Sequence, residues 1–364
     1  MKKYDVLKKY AMGLAVAALM TAGMSQTALA GETVYVKATS LRYRTSAQIK
    51  NDNIAGNLTY GQKVEKVSSS NGWTTILLNG KKYYVSSQYV TGTKPAASSG
   101  GAVSAASVSE QTSGGTAIAL SSNYKYAEFS KINSGSAVLY RTTAANKKNK
   151  VICVNAGHGT KGGGSVKTQC HPDGSAKVTG GTTGAGATSA VAVSSGMTFA
   201  DGTAESKVTL AMAKVLKTKL LNAGYDVLMI RESDDVQLDN IARTVLANNN
   251  ADCHIALHWD STSSNKGAFF MSVPSNATYR AMEPVASHWQ QHNQLGESLI
   301  SGLKSAGVKI YSEGSMEMDL TQTSYSTIPS VDIELGDKAS DHSGATLETL
   351  ANGLLAGVNT FFGQ

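Results

Sequence analysis

The chain is poor in cysteine, proline, aromatic rings and charge, and each shortage excludes something. Cys153, Cys170 and Cys253 are the only cysteines in 364 residues, an odd and small number that rules out a disulfide framework. None lies near residue 30, so no lipid-modified cysteine follows the leader described below. Cys153 and Cys253 sit inside apolar runs and read as small core residues. Five prolines against 36 glycines, with no G-X-Y period, exclude a collagen-like chain. Charged residues make up only 16%, but apolar residues reach 41%, which excludes wholesale disorder. Beyond residue 30 no apolar run approaches the about 18 residues of a membrane-spanning helix. No G-x-S-x-G elbow is present, and Gly162-Gly163-Gly164 lacks the Lys-Ser/Thr of a phosphate-binding loop.

At roughly 100–200 residues per domain, the length allows two or three domains. Residues 1–30 read as an export signal. Lys2, Lys3, Lys8 and Lys9 form a basic start, an apolar stretch runs from Ala11 to Met24, and Ala28-Leu29-Ala30 fits a small-x-small cleavage site. Cleavage before Gly31 takes away four lysines and Asp5, so the formal charge of +7 becomes +4. That is too weakly basic to argue for nucleic acid and suits an anionic cell envelope.

Residues 31–92 read as all-β. Short β-prone runs cover 33–38, 64–67, 73–78 and 82–85, with Asn71-Gly72 and Asn79-Gly80 as hairpin turns. Ser40-Leu41-Arg42-Tyr43-Arg44, Tyr60-Gly61-Gln62-Lys63-Val64, Asn71-Gly72-Trp73 and Tyr84-Val85-Ser86-Ser87-Gln88-Tyr89-Val90 resemble a bacterial SH3-like domain of the kind appended to wall enzymes. The resemblance spans 33–92 and implies a small barrel that binds cell-wall peptides. Thr45-Ser46-Ala47 replaces the Gly-Pro turn usual there. Trp73 and Tyr89 are read as core packing. Residues 93–121, rich in Ser, Ala, Gly and Thr, read as a flexible tether.

From 122 to 364 short β-branched runs alternate with long helical patterns, which predicts an α/β domain with a mainly parallel sheet flanked by helices. Strands are expected over 137–141, 151–155, 225–230, 253–258, 268–273 and 331–335, and helices over 205–223, 238–248, 284–306 and 346–362. In such sheets reactive groups gather at the carboxyl ends of strands. Three ionisable residues end three apolar strands here: His158 after Val151-Ile152-Cys153-Val154-Asn155, His258 after Cys253-His254-Ile255-Ala256-Leu257, and Glu334 after Val331-Asp332-Ile333. A fourth, Glu205, opens the long helix. Charged groups at the top of an apolar sheet want a partner, and a cation supplies one. Two histidines and a glutamate form a nitrogen and oxygen donor set that suits Zn²⁺ and leaves a fourth position for water.

These residues match a family. Asn155-Ala156-Gly157-His158-Gly159, Glu205 before a helix ending Asn222-Ala223-Gly224-Tyr225, and Val227-Leu228-Met229-Ile230-Arg231 resemble the zinc-dependent N-acetylmuramoyl-L-alanine amidases. Asp239-Asn240-Ile241-Ala242-Arg243, Ala251 through His258, and Ile328 through Gly336 continue the match in order, over about 150–364. The resemblance implies that His158, Glu205 and His258 bind Zn²⁺ and that Glu334 is the catalytic acid and base. It implies a secreted or wall-bound enzyme acting on peptidoglycan, which cuts the amide between N-acetylmuramic acid and L-alanine.

The chain departs from the family in three places. Trp259-Asp260 follows His258 where a small residue and Asn are usual. A long insertion separates His158 from Glu205, with 12 glycines between 157 and 202, and reads as a groove loop or lid. It holds Cys170-His171-Pro172-Asp173, whose ligand types allow a second metal site without a further spaced ligand. Asp332 lies two residues before Glu334 on the same strand face, as a partner of a ligand or a solvated group. His288 and His292 are spaced i, i+4 but lack the acid of H-E-x-x-H and read as an exposed helix face. Arg231 and Arg243 read as structural. Two alternatives compete: a wall-binding protein with a degenerate amidase domain, which the retained Glu334 opposes, and another zinc peptidase. A carboxypeptidase places Glu three residues after its first His, and position 161 is Lys.

Overall fold

The computed structural model describes residues 32–37, 40–48, 53–59, 61–94 and 112–364. The expected leader over 1–30 and residues 95–111 of the expected tether lie outside the described residues. The chain divides into two compact units, Met1–Gly101 and Ala102–Gln364.

The first unit is an antiparallel sheet of seven strands: β1 (Glu32–Val36), β2 (Ser40–Arg44), β3 (Ile54–Thr59), β4 (Lys63–Ser70), β5 (Trp73–Leu78), β6 (Lys81–Ser86) and β7 (Val90–Thr91). Their order is β3-β2-β6-β5-β4-β1-β7. Asn71 and Asn79 take positive φ at the two expected hairpins, β4–β5 and β5–β6. Alternate residues point inward and build a core of Val34, Val36, Leu41, Leu58, Val64, Ile76 and Val85. Among the described residues β3 and β7 do not pair, so the hydrogen-bonded sheet stays open rather than closing as the expected barrel. Tyr89 is not core: it is 42% exposed.

The second unit is a mixed eight-stranded sheet with helices on both faces. Its elements are β8 (Thr112–Ala119), β9 (Ser136–Thr142), β10 (Val151–Ala156), β11 (Lys167–Gln169), β12 (Ser189–Val191), α1 (Glu205–Asn222), β13 (Asp226–Met229), α2 (Asn240–Asn250), β14 (Cys253–Asp260), β15 (Ala268–Ser272), α3 (Ala277–Ala281), α4 (Val285–Ser305), β16 (Ile310–Glu317), α5 (Thr321–Tyr325), β17 (Ser330–Asp337) and α6 (Gly344–Phe362). The sheet order is β16-β15-β17-β14-β10-β13-β9-β8, while β11 and β12 pair separately as a hairpin. The central four strands β13, β10, β14 and β17 are parallel. Both flanks bring antiparallel pairing, β9 to β13 and β15 to β17. The sheet is therefore mixed, with a parallel centre.

Residues 112–119 correct the expected tether, because β8 pairs with β9 as the sheet's edge. Its Gly and Ser dilute any β signal, but pairing with β9 satisfies its backbone along one side. One sheet face packs against α1, α4 and α6 through residues such as Leu216, Leu220, Leu299, Leu303 and Leu354. Each such leucine contributes about 1.5–3 kcal/mol of burial. The other face packs against α2 through Ala242, Leu246 and Ala247. Cys153 and Cys253 are buried free thiols, as expected. No helix among the described residues is long and apolar enough to cross a membrane.

Candidate metal centre

The parallel centre sets the site. His258 near the end of β14 stands in register with Glu334 of β17, and Ala156 of β10 stands opposite Leu257, so His158 emerges beside them. Asp332 and Glu334 alternate on β17 and share one face. Glu205 is the first residue of α1, where the helix dipole favours a carboxylate.

His158 Nε2 lies 2.9 Å from Glu205 Oε1 and 3.0 Å from His258 Nδ1, and His258 Nδ1 lies 3.2 Å from Glu205 Oε1. Three donors 2.9–3.2 Å apart compare with the about 3.3 Å edge of a tetrahedron whose bonds are 2.0–2.1 Å long. Among the described residues this is the one group of three or more His, Cys, Asp or Glu able to hold a metal ion.

The surrounding backbone fixes these side chains. His158 Nδ1 donates to the Ser194 carbonyl at 2.8 Å, which turns the Nε2 lone pair toward Glu205 and His258. Glu205 Oε2 accepts from the Met197 amide at 2.8 Å, and Oε1 accepts from the Trp259 amide at 3.0 Å. His258 Nε2 faces Asp332 Oδ2 at 3.7 Å. Two glycines allow the rings their room. A Cβ at Gly157 would lie 2.3 Å from His258 Cε1, and one at Gly196 would lie 2.7 Å from His158 Cδ2.

The electrostatics point the same way. Burial pushes the Glu205 carboxyl up, but the adjoining His158 and His258 imidazoles outweigh it and hold the group well below the usual carboxylate range. Burial works against the charged form of His258, yet Asp332 and Glu205 raise it to about 10. Burial first, then the neighbouring acids Asp332 and Glu205, hold the Glu334 carboxyl well above its ordinary value, and His258 only partly opposes them. Asp332 Oδ1 and Glu334 Oε2 are buried and make no hydrogen bond. Three acids crowd two imidazoles here, and two carboxylate oxygens have no donor. A divalent cation fits that donor set, and it would relieve the like-charge crowding.

The Amidase_3 family, described as N-acetylmuramoyl-L-alanine amidase, matches residues 152–354. The chain belongs to the N-acetylmuramoyl-L-alanine amidase family. It is thereby an enzyme of the peptidoglycan amidase class, and the family match covers β10 through most of α6. Similar solved structures include the N-acetylmuramyl-L-alanine amidase Ami1 from Mycobacterium smegmatis, at 16% identity over 60% of this chain and 99% of that one, with a TM-score of 0.48. The N-acetylmuramoyl-L-alanine amidase from Clostridium difficile 630 is 16% identical over 59% and 97%, with a TM-score of 0.42. AmiC2 of Nostoc punctiforme is 15% identical over 60% and 100%, also at 0.42. No curated protein sequence matches the chain.

Within this amidase domain, His158, Glu205 and His258 converge, and Glu334 and Asp332 line the same cleft of about 480 Å³. Other residues singled out in the sequence stand elsewhere. His171 spends Nε2 on Asp319 and Nδ1 on Ser175, so the insertion forms no second cluster of ligands. His292 is buried rather than on an exposed face, and its Nδ1 accepts from the Ser330 amide at 2.9 Å. Trp259 is buried against Phe199. Sequence reasoning missed the Ser194 carbonyl and Asp319. Neither carries a local signal, since each acts on a histidine 36 or 148 residues away.

Proposed function

We propose that this protein is a secreted, zinc-dependent N-acetylmuramoyl-L-alanine amidase of the cell wall. His158, Glu205 and His258 hold the zinc, and Glu334 is the acid and base. The observation that carries the reading is the mutual approach of His158 Nε2, His258 Nδ1 and Glu205 Oε1 beside a buried carboxyl oxygen of Glu334 that has no hydrogen-bond partner. Zn²⁺ held there would supply Lewis acidity, which lowers the pKa of a water to about 7. A cation in the site would offset the burial that holds the Glu334 proton, and the ionised Glu334 Oε2 then takes the proton of the attacking water and returns it to the nitrogen of L-alanine as the C–N bond breaks. The products are a lactyl carboxylate on the glycan and a free stem peptide. Asp332 keeps His258 oriented, and the Ser194 carbonyl keeps the His158 tautomer.

The SH3-like resemblance and the seven-stranded sheet of the first unit support a wall-binding role for residues 31–92. The basic and apolar start of the chain supports export, with cleavage before Gly31.

The test is a Glu334→Gln variant on purified cell walls. Metal analysis should find zinc retained, while release of new amino termini on L-alanine falls by about 10²–10⁴. New reducing sugars should not appear in either protein. Full activity in the variant would sink the assignment of Glu334. A wild-type protein that releases reducing sugars instead would sink the amidase reading.

A further inference from the structure

The formal charge is divided unevenly between the two units. Residues 31–94 hold nine Lys and Arg against three Asp and Glu, a net of +6, whereas residues 112–364 hold 20 against 21, a net of −1. The weakly basic total conceals a strongly basic first unit. A field of one sign, confined to one unit, favours contact with a partner of the other sign.

Strand register brings four of those charges to one end of the sheet. Lys63 opens β4, opposite Tyr35 of β1. The Val36 amide donates to Gln62 O at 3.0 Å and the Gly61 amide to Val36 O at 2.8 Å, so Lys37, the residue after β1, lies beside the start of β4. Lys81 and Lys82 open β6, opposite Leu78 and Leu77 of β5, and Leu77 stands opposite Glu65 of β4. Two residues back from Glu65, Lys63 therefore comes level with the Asn79-Gly80 turn that leads into Lys81. All four lysines are exposed. Glu65 is the one acid at that end among the described residues. Glu32 lies at the other end of β1, where it pairs with Lys66 at 2.8 Å.

At about 4.8 Å between neighbouring strands, the four lysine backbones fall within about 15 Å of one another. Ammonium groups so close repel one another, and a polyanion relieves that repulsion. Lysine is a compact charge on a flexible stem, which suits phosphates whose positions vary along a flexible chain. A stem peptide offers no such repeat, since its carboxylates alternate with neutral amides.

We propose that this end of the first unit docks on a phosphodiester-linked anionic polymer of the cell wall, with Lys37, Lys63, Lys81 and Lys82 set against its phosphates. The proposal rests on the wall-binding reading of residues 31–92 and changes the partner from wall peptide to polyanion. Each contact releases condensed counterions, so binding weakens steeply with salt.

The experiment is cosedimentation of the full chain with purified walls, before and after acid has stripped their phosphodiester polymers. It is run in the Glu334→Gln background, so that the walls are not digested. The protein should bind untreated walls about 10-fold tighter than stripped ones, and its affinity for them should fall about 10–50-fold between about 50 and about 200 mM salt. Lys81→Gln with Lys82→Gln should weaken binding about 10-fold and reduce the salt slope by about half, whereas Lys81→Arg with Lys82→Arg should keep both. Soluble polyglycerol phosphate should displace the protein, and a free stem pentapeptide should not. Equal binding to stripped walls, or displacement by the pentapeptide alone, leaves the first unit a wall-binding module that reads peptide and overturns this proposal. Binding to neither preparation removes the wall-binding reading, and the proposal falls with it.

Discussion

Replacing Arg243 by Met should loosen both the amidase domain and the candidate metal site. Arg243 is 1% exposed, and no carboxylate pairs with it among the described residues. Its donors go to oxygens around the end of β10: Nε to Leu238 O at 3.0 Å, Nη1 to Asn155 Oδ1 at 3.1 Å and Ala156 O at 3.2 Å, Nη2 to His158 O at 2.6 Å and Thr160 Oγ1 at 2.8 Å. Burial, and then the nearby Arg231, pull the guanidinium down to about 9, so it stays protonated at neutral pH. Methionine fills a similar volume and donates nothing. Each buried oxygen left without its donor costs about 1–3 kcal/mol, and relief from burying an unpaired charge offsets several kcal/mol of that sum. The net expectation is a loss of about 2–4 kcal/mol in urea unfolding of the zinc-free protein.

A second consequence follows at the metal centre. His158 sits at φ 64°, in the left-handed region, at a cost of roughly 1–2 kcal/mol. The Nη2 bond to its carbonyl holds it there. Without that bond, zinc affinity measured by competition with a chromophoric chelator should fall about 10–100-fold. Arg243→Lys, with one donor group in place of a fork, should fall between. A stability loss under about 1 kcal/mol together with unchanged zinc affinity would refute the reasoning.

Gly157→Ala should lower zinc affinity sharply by pushing the His258 ring aside, since the added Cβ meets it at 2.3 Å; isothermal titration with Zn²⁺ checks this, and normal affinity would contradict the packing. Asp239→Ala removes the cap of α2 and an acceptor shared by Ser130, Lys131 and Ile132, so unfolding free energy should drop by about 3 kcal/mol. His254 and His292 are both held down to about 3, by burial first and then by the nearby charges of Arg243 and of His288 respectively. Unfolded histidine takes a proton below about pH 6.5, but these two stay neutral while folded, so they add no stability above that pH and cost it below. Stability should fall by about 1.4 kcal/mol per pH unit for each of them between pH 6.5 and about 3. In His292→Phe the slope measured by chemical denaturation should be shallower by that amount, and an unchanged slope would count against the burial argument.

The long elements were legible because their signals are local. Leu210, Leu216, Leu220 and Leu221 repeat at helical spacing, and α1 spans Glu205–Asn222 against an expected 205–223. The central strands β10 and β14 are mostly apolar and buried, in keeping with a sheet covered on both faces. Elements held by their partners were not legible. β8 carries Thr-Ser-Gly-Gly-Thr and exists because β9 offers it a ladder. β16 is mostly polar and exposed, and it survives as an edge strand through its pairing with β15.

From its own order of residues the chain determined where the candidate groups stand: His158, Glu205, His258 and Glu334 are each at the start or end of a strongly patterned element, and that placement is a short-range property. Only the tertiary structure decided what holds them and what surrounds them. The Ser194 carbonyl behind His158, Arg243 under the turn and Asp319 fastening the insertion are contacts across 36, 85 and 148 residues. Such contacts form when packed layers bring distant oxygens and donors together away from water, and no local periodicity encodes them.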